Sequence, residues 1–139
     1  MLFVIGGGVF MGGTLKTFED LECWKAANEV RRFVMKLVKK FPPEEKYSLA
    51  NNMTRASRSV TQNIAEGFGR FHYQENVQFC RQSRGSLYEL VDQLITARDE
   101  EYISEADLKE GRERISKATA LLNGYINYLL RAKQRTSNE

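Results

Sequence analysis

The sequence contains few of the residues that interrupt helices. Of its 139 residues only two are proline, Pro42 and Pro43, and they are adjacent. Proline removes a backbone donor and clashes with the preceding helical turn, so its scarcity permits long helices almost everywhere else. No alternating strand pattern of useful length is present either. The sequence therefore predicts an all-α chain.

Histidine and cysteine are also scarce, which removes the side chains that most metal sites and nucleophiles need. His72 is the only histidine, and Cys23 and Cys80 are the only cysteines; they form no CxxC motif. Zinc sites and di-iron sites built on Glu-x-x-His motifs therefore lack ligands, and we expect two free thiols in a reducing cytoplasm. Phosphate-binding glycine motifs are also missing. We expect a non-enzymatic protein without a metal or cofactor.

Long apolar runs are missing as well. Residues 1–16 are largely apolar but broken by glycine, lack the basic start of a signal peptide, and are too short to span a bilayer. We expect this leader to be disordered. Alternatively, Met1 is an upstream start codon and Met11 is an alternative start. Nothing else approaches the roughly 18 apolar residues of a membrane helix, so we expect a cytoplasmic protein with no membrane partner.

Four amphipathic segments follow the leader, separated by short connections. They cover about residues 17–41, 48–66, 73–99 and 104–131. Thr17 and Asp20 have the spacing of a capping box at the start of the first segment. Short connections make neighbouring helices antiparallel. The sequence thus predicts an up-down-up-down four-helix bundle over residues 17–131, followed by a polar tail over 132–139.

Two adjacent residues break the apolar stripe of the third segment. Gly85 lies mid-helix, where glycine costs about 1 kcal/mol relative to alanine, and we expect it to allow another backbone to approach closely. Arg84 occupies a stripe position, and a buried charge needs partners. Antiparallel pairing with the second helix places it near Ala56 and Ser59. We interpret Arg84 as part of a polar network joining these helices, or as a ligand-facing or intersubunit arginine.

Charge is distributed unevenly, although the net charge is only +3. Residues 21–60 hold nine Lys and Arg against four Asp and Glu, residues 87–113 hold three against nine, and residues 114–139 hold five against one. One end of the bundle is expected to gather Arg70, Arg131, Lys133 and Arg135 without a matching acidic run.

Two helices also carry basic residues opposite their apolar stripes. On the first, Lys25, Arg32, Lys36 and Lys39 lie within a band of about 60°. On the second, Arg55 and Arg58 line the side away from the apolar stripe. The face of the first helix is either simply solvated or forms an electrostatic footprint for phosphates or an acidic partner. The face of the second helix has many small polar neighbours and could meet another subunit.

Several motifs resemble a known family. They are Phe18-x-x-Leu-Glu-x-Trp24-x-x-Ala, Phe41-Pro42-x-Glu44, Arg55-Ala-x-x-Ser59-Val-x-x-Asn63-Ile-Ala-Glu-Gly-Phe-Gly-Arg70, and Arg84-Gly-Ser-Leu-x-Glu89-Leu. Together they resemble the four helix bundle proteins first described as products of intervening sequences in bacterial 23S ribosomal RNA genes. The resemblance extends over about residues 17–131.

The resemblance implies a homopentamer around a central channel and a role in nucleic-acid binding, with no catalytic residues. The related accessory variability protein of diversity-generating retroelements shares the fold and binds a reverse transcriptase and RNA through basic surface. We therefore hypothesise an oligomeric RNA-binding or RNP-associated protein. The candidate contact residues are Arg55, Arg58, Arg70, Arg81 and Arg84, with Lys36, Lys39 and Lys40 as a second patch. The alternative is an adaptor that docks a protein partner, such as a reverse transcriptase, on an oligomeric ring.

Overall fold

The computed structural model describes residues 2–5, 8–11 and 15–137 of the chain. It contains four long helices, each packed against two others in a ring. They are α1 (Glu22–Val38), α2 (Leu49–Phe68), α3 (Tyr73–Asp99) and α4 (Glu105–Ser137). The predicted all-α four-helix bundle is confirmed. In this described part of the chain, no helix combines the length and apolarity that crossing a membrane requires.

Hydrogen bonds between neighbouring helices show that they run antiparallel, because residue numbers rise on one helix as they fall on the other. The pairs are Val60 with Ser83 and Ser59 with Ser86 between α2 and α3, and Tyr125 with Asn76 and Glu105 with Arg98 between α3 and α4.

The predicted capping box is present, but it closes a short 3-10 helix over Phe18–Asp20 rather than α1 itself. The Thr17 hydroxyl accepts a hydrogen bond from the Glu19 backbone N–H at 2.9 Å, and the Asp20 carboxylate accepts from the backbone N–H groups of Thr17 and Lys16. These backbone donors hold the pKa of Asp20 below its usual value. The α-helix then begins at Glu22.

The core lies along the bundle axis and draws large apolar side chains from all four helices. The fully buried ones include Val30 and Val34 of α1, Met53, Val60 and Ile64 of α2, Leu87, Leu90 and Leu94 of α3, and Leu122 of α4. Burial of apolar surface is the main favourable contribution to folding. The core therefore fixes which face of each helix remains for function.

The close backbone approach expected at Gly85 occurs elsewhere. Gly85 is exposed, and a Cβ added to it would meet nothing within 4 Å. A Cβ on Gly67 of α2 would instead lie 2.6 Å from Asn76 Oδ1 and 3.0 Å from Phe79 Cβ on α3. The expectation for Gly85 was wrong because the residue lies on the outer side of α3.

Part of the leader, for which we expected disorder, forms a two-stranded hairpin. Strands β1 (Leu2–Ile5) and β2 (Gly8–Met11) pair antiparallel, with Leu2 opposite Met11. These strands are rich in Val, Phe and Ile, which favour extended structure, and two such runs separated by two glycines are a hairpin signal. Residues 1, 6, 7 and 12–14 of the leader lie outside the described residues.

Helix α4 also continues beyond the predicted boundary at Arg131. It extends to Ser137, so the polar tail expected over 132–139 is helical through that residue; residues 138 and 139 lie outside the described residues. Ala132 is buried, and Lys133 Nζ donates a hydrogen bond to Gln74 Oε1 of α3 at 2.9 Å. Alanine, lysine, glutamine and arginine all favour helix, and the buried alanine adds tertiary contact.

Candidate nucleic-acid interface

A polar groove runs between α2 and α3 on the outside of the bundle, with a volume of about 590 Å³. It exists because the apolar stripe of α2 turns inward and leaves small polar and basic side chains outside. The lining residues are Asn52, Arg55, Ala56, Arg58, Ser59 and Gln62 of α2, and Ser86 and Glu89 of α3. We call this surface the α2–α3 groove.

Two predicted site residues, Arg55 and Arg58, come together in this groove. Both are exposed, and within the described residues neither side chain forms an ion pair with a carboxylate. The floor is fixed by the 2.9 Å hydrogen bond from the Ser86 hydroxyl to the Ser59 hydroxyl. Glu89 is the one carboxylate among the lining residues. The groove therefore presents two arginines beside hydroxyl and amide groups, the donor types that contact phosphate and sugar.

The other two predicted arginines of α3 lie outside the α2–α3 groove. We expected Arg84 to join α3 to α2. Its Nη1 instead donates a hydrogen bond to Asn123 Oδ1 of α4 at 2.8 Å. Ser83 is the residue that faces α2, and each helical residue turns about 100° from the last, so Arg84 faces α4. Arg81 is exposed and does not line the groove.

Arg70 has partners of its own at the α2–α3 turn. Its guanidinium lies 2.9 Å from Glu66 and 3.9 Å from Glu75, and 4.8 Å from the centre of the Phe79 ring. The prediction of an end without a matching acidic run did not anticipate these two carboxylates. Two carboxylates compensate part of its positive charge.

The predicted lysine patch is divided between two grooves. Lys36 and Lys40 line a groove between α1 and α4 together with Asp107 and Glu110. Lys39 lines a separate groove between α1 and α2. Lys39 and Lys40 follow the end of α1 at Val38, so the three lysines border different neighbouring helices. The carboxylates of α4 offset part of the charge of Lys36 and Lys40.

The groups with potential reactivity are buried or isolated. Burial raises the pKa of the Cys80 thiol to about 12 and that of Cys23 well above its usual value. A protonated thiol is a poor nucleophile. His72 is exposed in the turn before α3. Across residues 15–136, whose side chains the structure describes, no three potential metal ligands cluster together.

A second groove, between α3 and α4, was not predicted. It has a volume of about 1070 Å³, and its apolar part includes Tyr88, Val91, Leu108 and Ile115. Tyr88 is 65% exposed. The sequence signal was a large aromatic residue next to the apolar stripe of α3 and small residues along the outer side of α4. We call this surface the α3–α4 groove.

Together, these features define an antiparallel helical bundle whose surface includes the polar α2–α3 groove with two arginines and the partly apolar α3–α4 groove. The family profile of the 23S rRNA-intervening sequence proteins matches residues 19–124. The chain belongs to this family, which confirms the resemblance found in the sequence motifs. The comparison with curated proteins returned no match.

Proposed function

We propose that this protein is a non-enzymatic, cytoplasmic RNA-binding or RNP-associated protein that contacts RNA through the α2–α3 groove. The observation that carries the proposal is the pair of exposed arginines, Arg55 and Arg58, which have no carboxylate partner in the described part of the chain. By contrast, Arg70 pairs with Glu66 and Arg84 donates to the Asn123 side chain.

The expected binding is electrostatic and largely independent of sequence. Arginine guanidinium groups would contact phosphate oxygens, while Asn52, Gln62 and Ser59 could donate to phosphate or sugar. Contacts of this type position a nucleic acid without reading its bases.

Assembly would multiply this surface. The family resemblance implies a homopentamer, in which every subunit would present one copy of the α2–α3 groove. Linked copies raise the effective concentration of each successive contact. Weak binding of RNA by each single groove would then be enough for tight binding by the whole oligomer.

The proposal is tested by fluorescence anisotropy with a structured RNA at several salt concentrations, with sedimentation on the same samples. We expect the double variant Arg55→Ala, Arg58→Ala to bind more weakly and to have a shallower salt dependence. Each lost phosphate contact lowers the log–log slope by about 0.7 to 0.9, so the expected reduction is about 1.4 to 1.8 per subunit engaged.

The matched control removes two exposed cations from α4, Lys109→Ala with Arg112→Ala. It changes net charge equally but leaves the α2–α3 groove intact, so a smaller effect is expected. Equal loss in both variants would show that only net charge matters. Unchanged affinity in the groove variant, with its sedimentation unchanged, would contradict the proposal.

The second candidate function is an adaptor that docks a protein partner on the oligomer. The α3–α4 groove favours it, because Tyr88 is largely exposed beside Val91 and Leu108, and such aromatic anchors carry much of the binding energy at interfaces. Capture of a partner from nuclease-treated lysate that Tyr88→Ala abolishes would support it. The exposed Tyr47 provides the control Tyr47→Ala. Capture that disappears with nuclease would contradict it.

A further inference from the structure

The turn between α2 and α3 exposes an aromatic side chain that the fold does not use. Phe71 is 93% exposed, the highest value among the large apolar residues that the structure describes. Its ring lies edge-on to the His72 ring, with centroids 5.0 Å apart and an interplanar angle of 88°. A phenylalanine that is almost fully in water contributes little to core packing. Its apolar faces remain available to a ligand.

Further aromatic residues border the same turn. Tyr73 is 39% exposed, and the Tyr125 and Tyr128 rings stack nearly parallel with centroids 6.3 Å apart. Phe71, Tyr73 and Tyr128 line one small cleft of about 180 Å³. We call Phe71, His72 and Tyr73 the aromatic ledge.

Basic residues surround the aromatic ledge. Arg70 is held beside it by Glu66 and by the Phe79 ring. The end of α4 reaches the same place, because Lys133 hydrogen-bonds to Gln74 in the first turn of α3. Arg135 also lies near Tyr128, where its charge opposes the rise in the Tyr128 pKa that burial and Tyr73 cause.

The basic residues of the α2–α3 groove lead toward the ledge along one face of α2. Arg58, Gln62 and Glu66 follow one another at intervals of four residues within α2, so they lie on one helical row. The step of eight residues from Arg58 to Glu66 spans about 12 Å of helix axis, and Arg70 follows in the turn after α2 ends at Phe68. Glu66 interrupts the row, but its carboxylate is paired with Arg70. A single strand following the groove would therefore arrive at Phe71.

We propose that the aromatic ledge stacks unpaired RNA bases while the basic end of α4, with Arg131 and Arg135, contacts the adjoining phosphates. This inference rests on the proposed RNA-binding function and adds the kind of RNA that is bound: single strands, loops or ends. Every base has a flat π face, so stacking on Phe71 is tolerant of sequence. Bases within a duplex are already stacked on one another and cannot reach the ring.

The experiment compares two probes, a 12-nucleotide single-stranded RNA and the duplex of the same sequence. For Phe71→Ala we expect about tenfold weaker binding of the single strand, the order of loss that follows removal of a stacking aromatic, and no change for the duplex. The salt slope should stay as in the wild type, because no charge is removed. Phe71→Trp keeps a flat ring and should restore affinity.

The matched control is Tyr47→Ala, which removes an aromatic side chain that is 84% exposed at the opposite end of α2. It should bind both probes like the wild type. If Phe71→Ala binds the single strand as tightly as the wild type, or loses both probes equally, base stacking at the ledge is wrong although the groove proposal survives. If the wild type binds neither probe at low salt, the proposed function fails and this inference fails with it.

Discussion

At the scale of single residues, small side chains determine how closely α2 and α3 approach each other. Ser83 is fully buried and donates to the Val60 carbonyl at 2.7 Å. Gly67 faces Asn76 with no room for a methyl group. Because the helices are in contact here, side-chain volume rather than helix propensity decides what each position tolerates.

We predict opposite effects for two glycine substitutions. Gly67→Ala forces a Cβ against the Asn76 side chain and backbone, and should lower the free energy of unfolding by about 1 to 2 kcal/mol, because overpacking outweighs the gain in helix propensity. In Gly85→Ala the added Cβ lies in open space. This substitution should raise the free energy of unfolding by about 0.5 to 1 kcal/mol. Denaturant unfolding measures both. A stabilising Gly67→Ala would contradict the close contact.

The sequence could predict which side of a helix faces inward, but not which neighbour a side chain meets. Helical periodicity placed Arg55 and Arg58 on the outer side of α2, where the structure has them. Helical periodicity could not show that Arg84 hydrogen-bonds to Asn123, because this contact depends on the rotation of α3 about its axis. The same limit applies to Lys36 and Lys39, which border two different helices.

At the scale of elements, Arg84 helps to connect α3 and α4 beside the α3–α4 groove. Arg84, half-buried, donates to Asn123 at 2.8 Å. A hydrogen bond from a charged donor is stronger than a neutral one. The contact therefore contributes to the pairing of these two helices rather than of α2 with α3.

We predict that Asn123→Ala lowers the free energy of unfolding by about 1 kcal/mol, because a half-buried arginine loses its acceptor. Asn127→Ala, at an exposed position on the same helix, should change it by less than about 0.5 kcal/mol. A double-mutant cycle of Arg84→Ala with Asn123→Ala should show coupling, and a cycle with Ser59→Ala should show none. Coupling to Ser59 would mean that the arginine faces α2 after all.

Element boundaries were predictable where local chemistry determines them. Pro42 and Pro43 follow shortly after the end of α1 at Val38, and the capping box of Thr17 and Asp20 is present. The end of α4 was missed because its last turns are polar on most sides and gain their helix stability from buried Ala132 and the contact of Lys133 with α3. Tertiary contacts of that kind leave no periodic signal in a short polar segment.

At the scale of the whole molecule, stability rests on the core and not on surface charge. The ion pairs among the described residues join side chains that are between about one-third and three-quarters exposed, and each such pair contributes at most about 1 kcal/mol. The core, by contrast, buries acidic groups that must remain protonated: Cys23, Cys80 and the Tyr125 hydroxyl, which Asn76 contacts at 3.0 Å.

We predict that the protein loses stability as pH rises above about 9. Burial raises the pKa of Cys80 from 9.0 to about 12 and also raises that of Cys23. Between the unfolded and folded pKa values the native state holds protons that the unfolded chain releases, so stability is complete below pH 9 and falls above it. Each thiol contributes about 1.4 kcal/mol per pH unit in this range. Chemical denaturation at pH 7 to 11 measures the slope.

The double variant Cys23→Ala, Cys80→Ala identifies the groups responsible. Without the thiols, the next acids to titrate are tyrosines whose usual pKa is 10.0 and whose pKa the fold raises. The pKa of Tyr125 is raised chiefly by burial, and that of half-buried Tyr102 chiefly by its hydrogen bond to Glu45. The onset of alkaline destabilisation should therefore move from about pH 9 to about pH 10, whatever the cost of the substitutions at pH 7. If wild type and variant lose stability over the same range, the thiols are not both buried in the core, and the inward orientation of Cys23 on α1 and Cys80 on α3 would have to be revised.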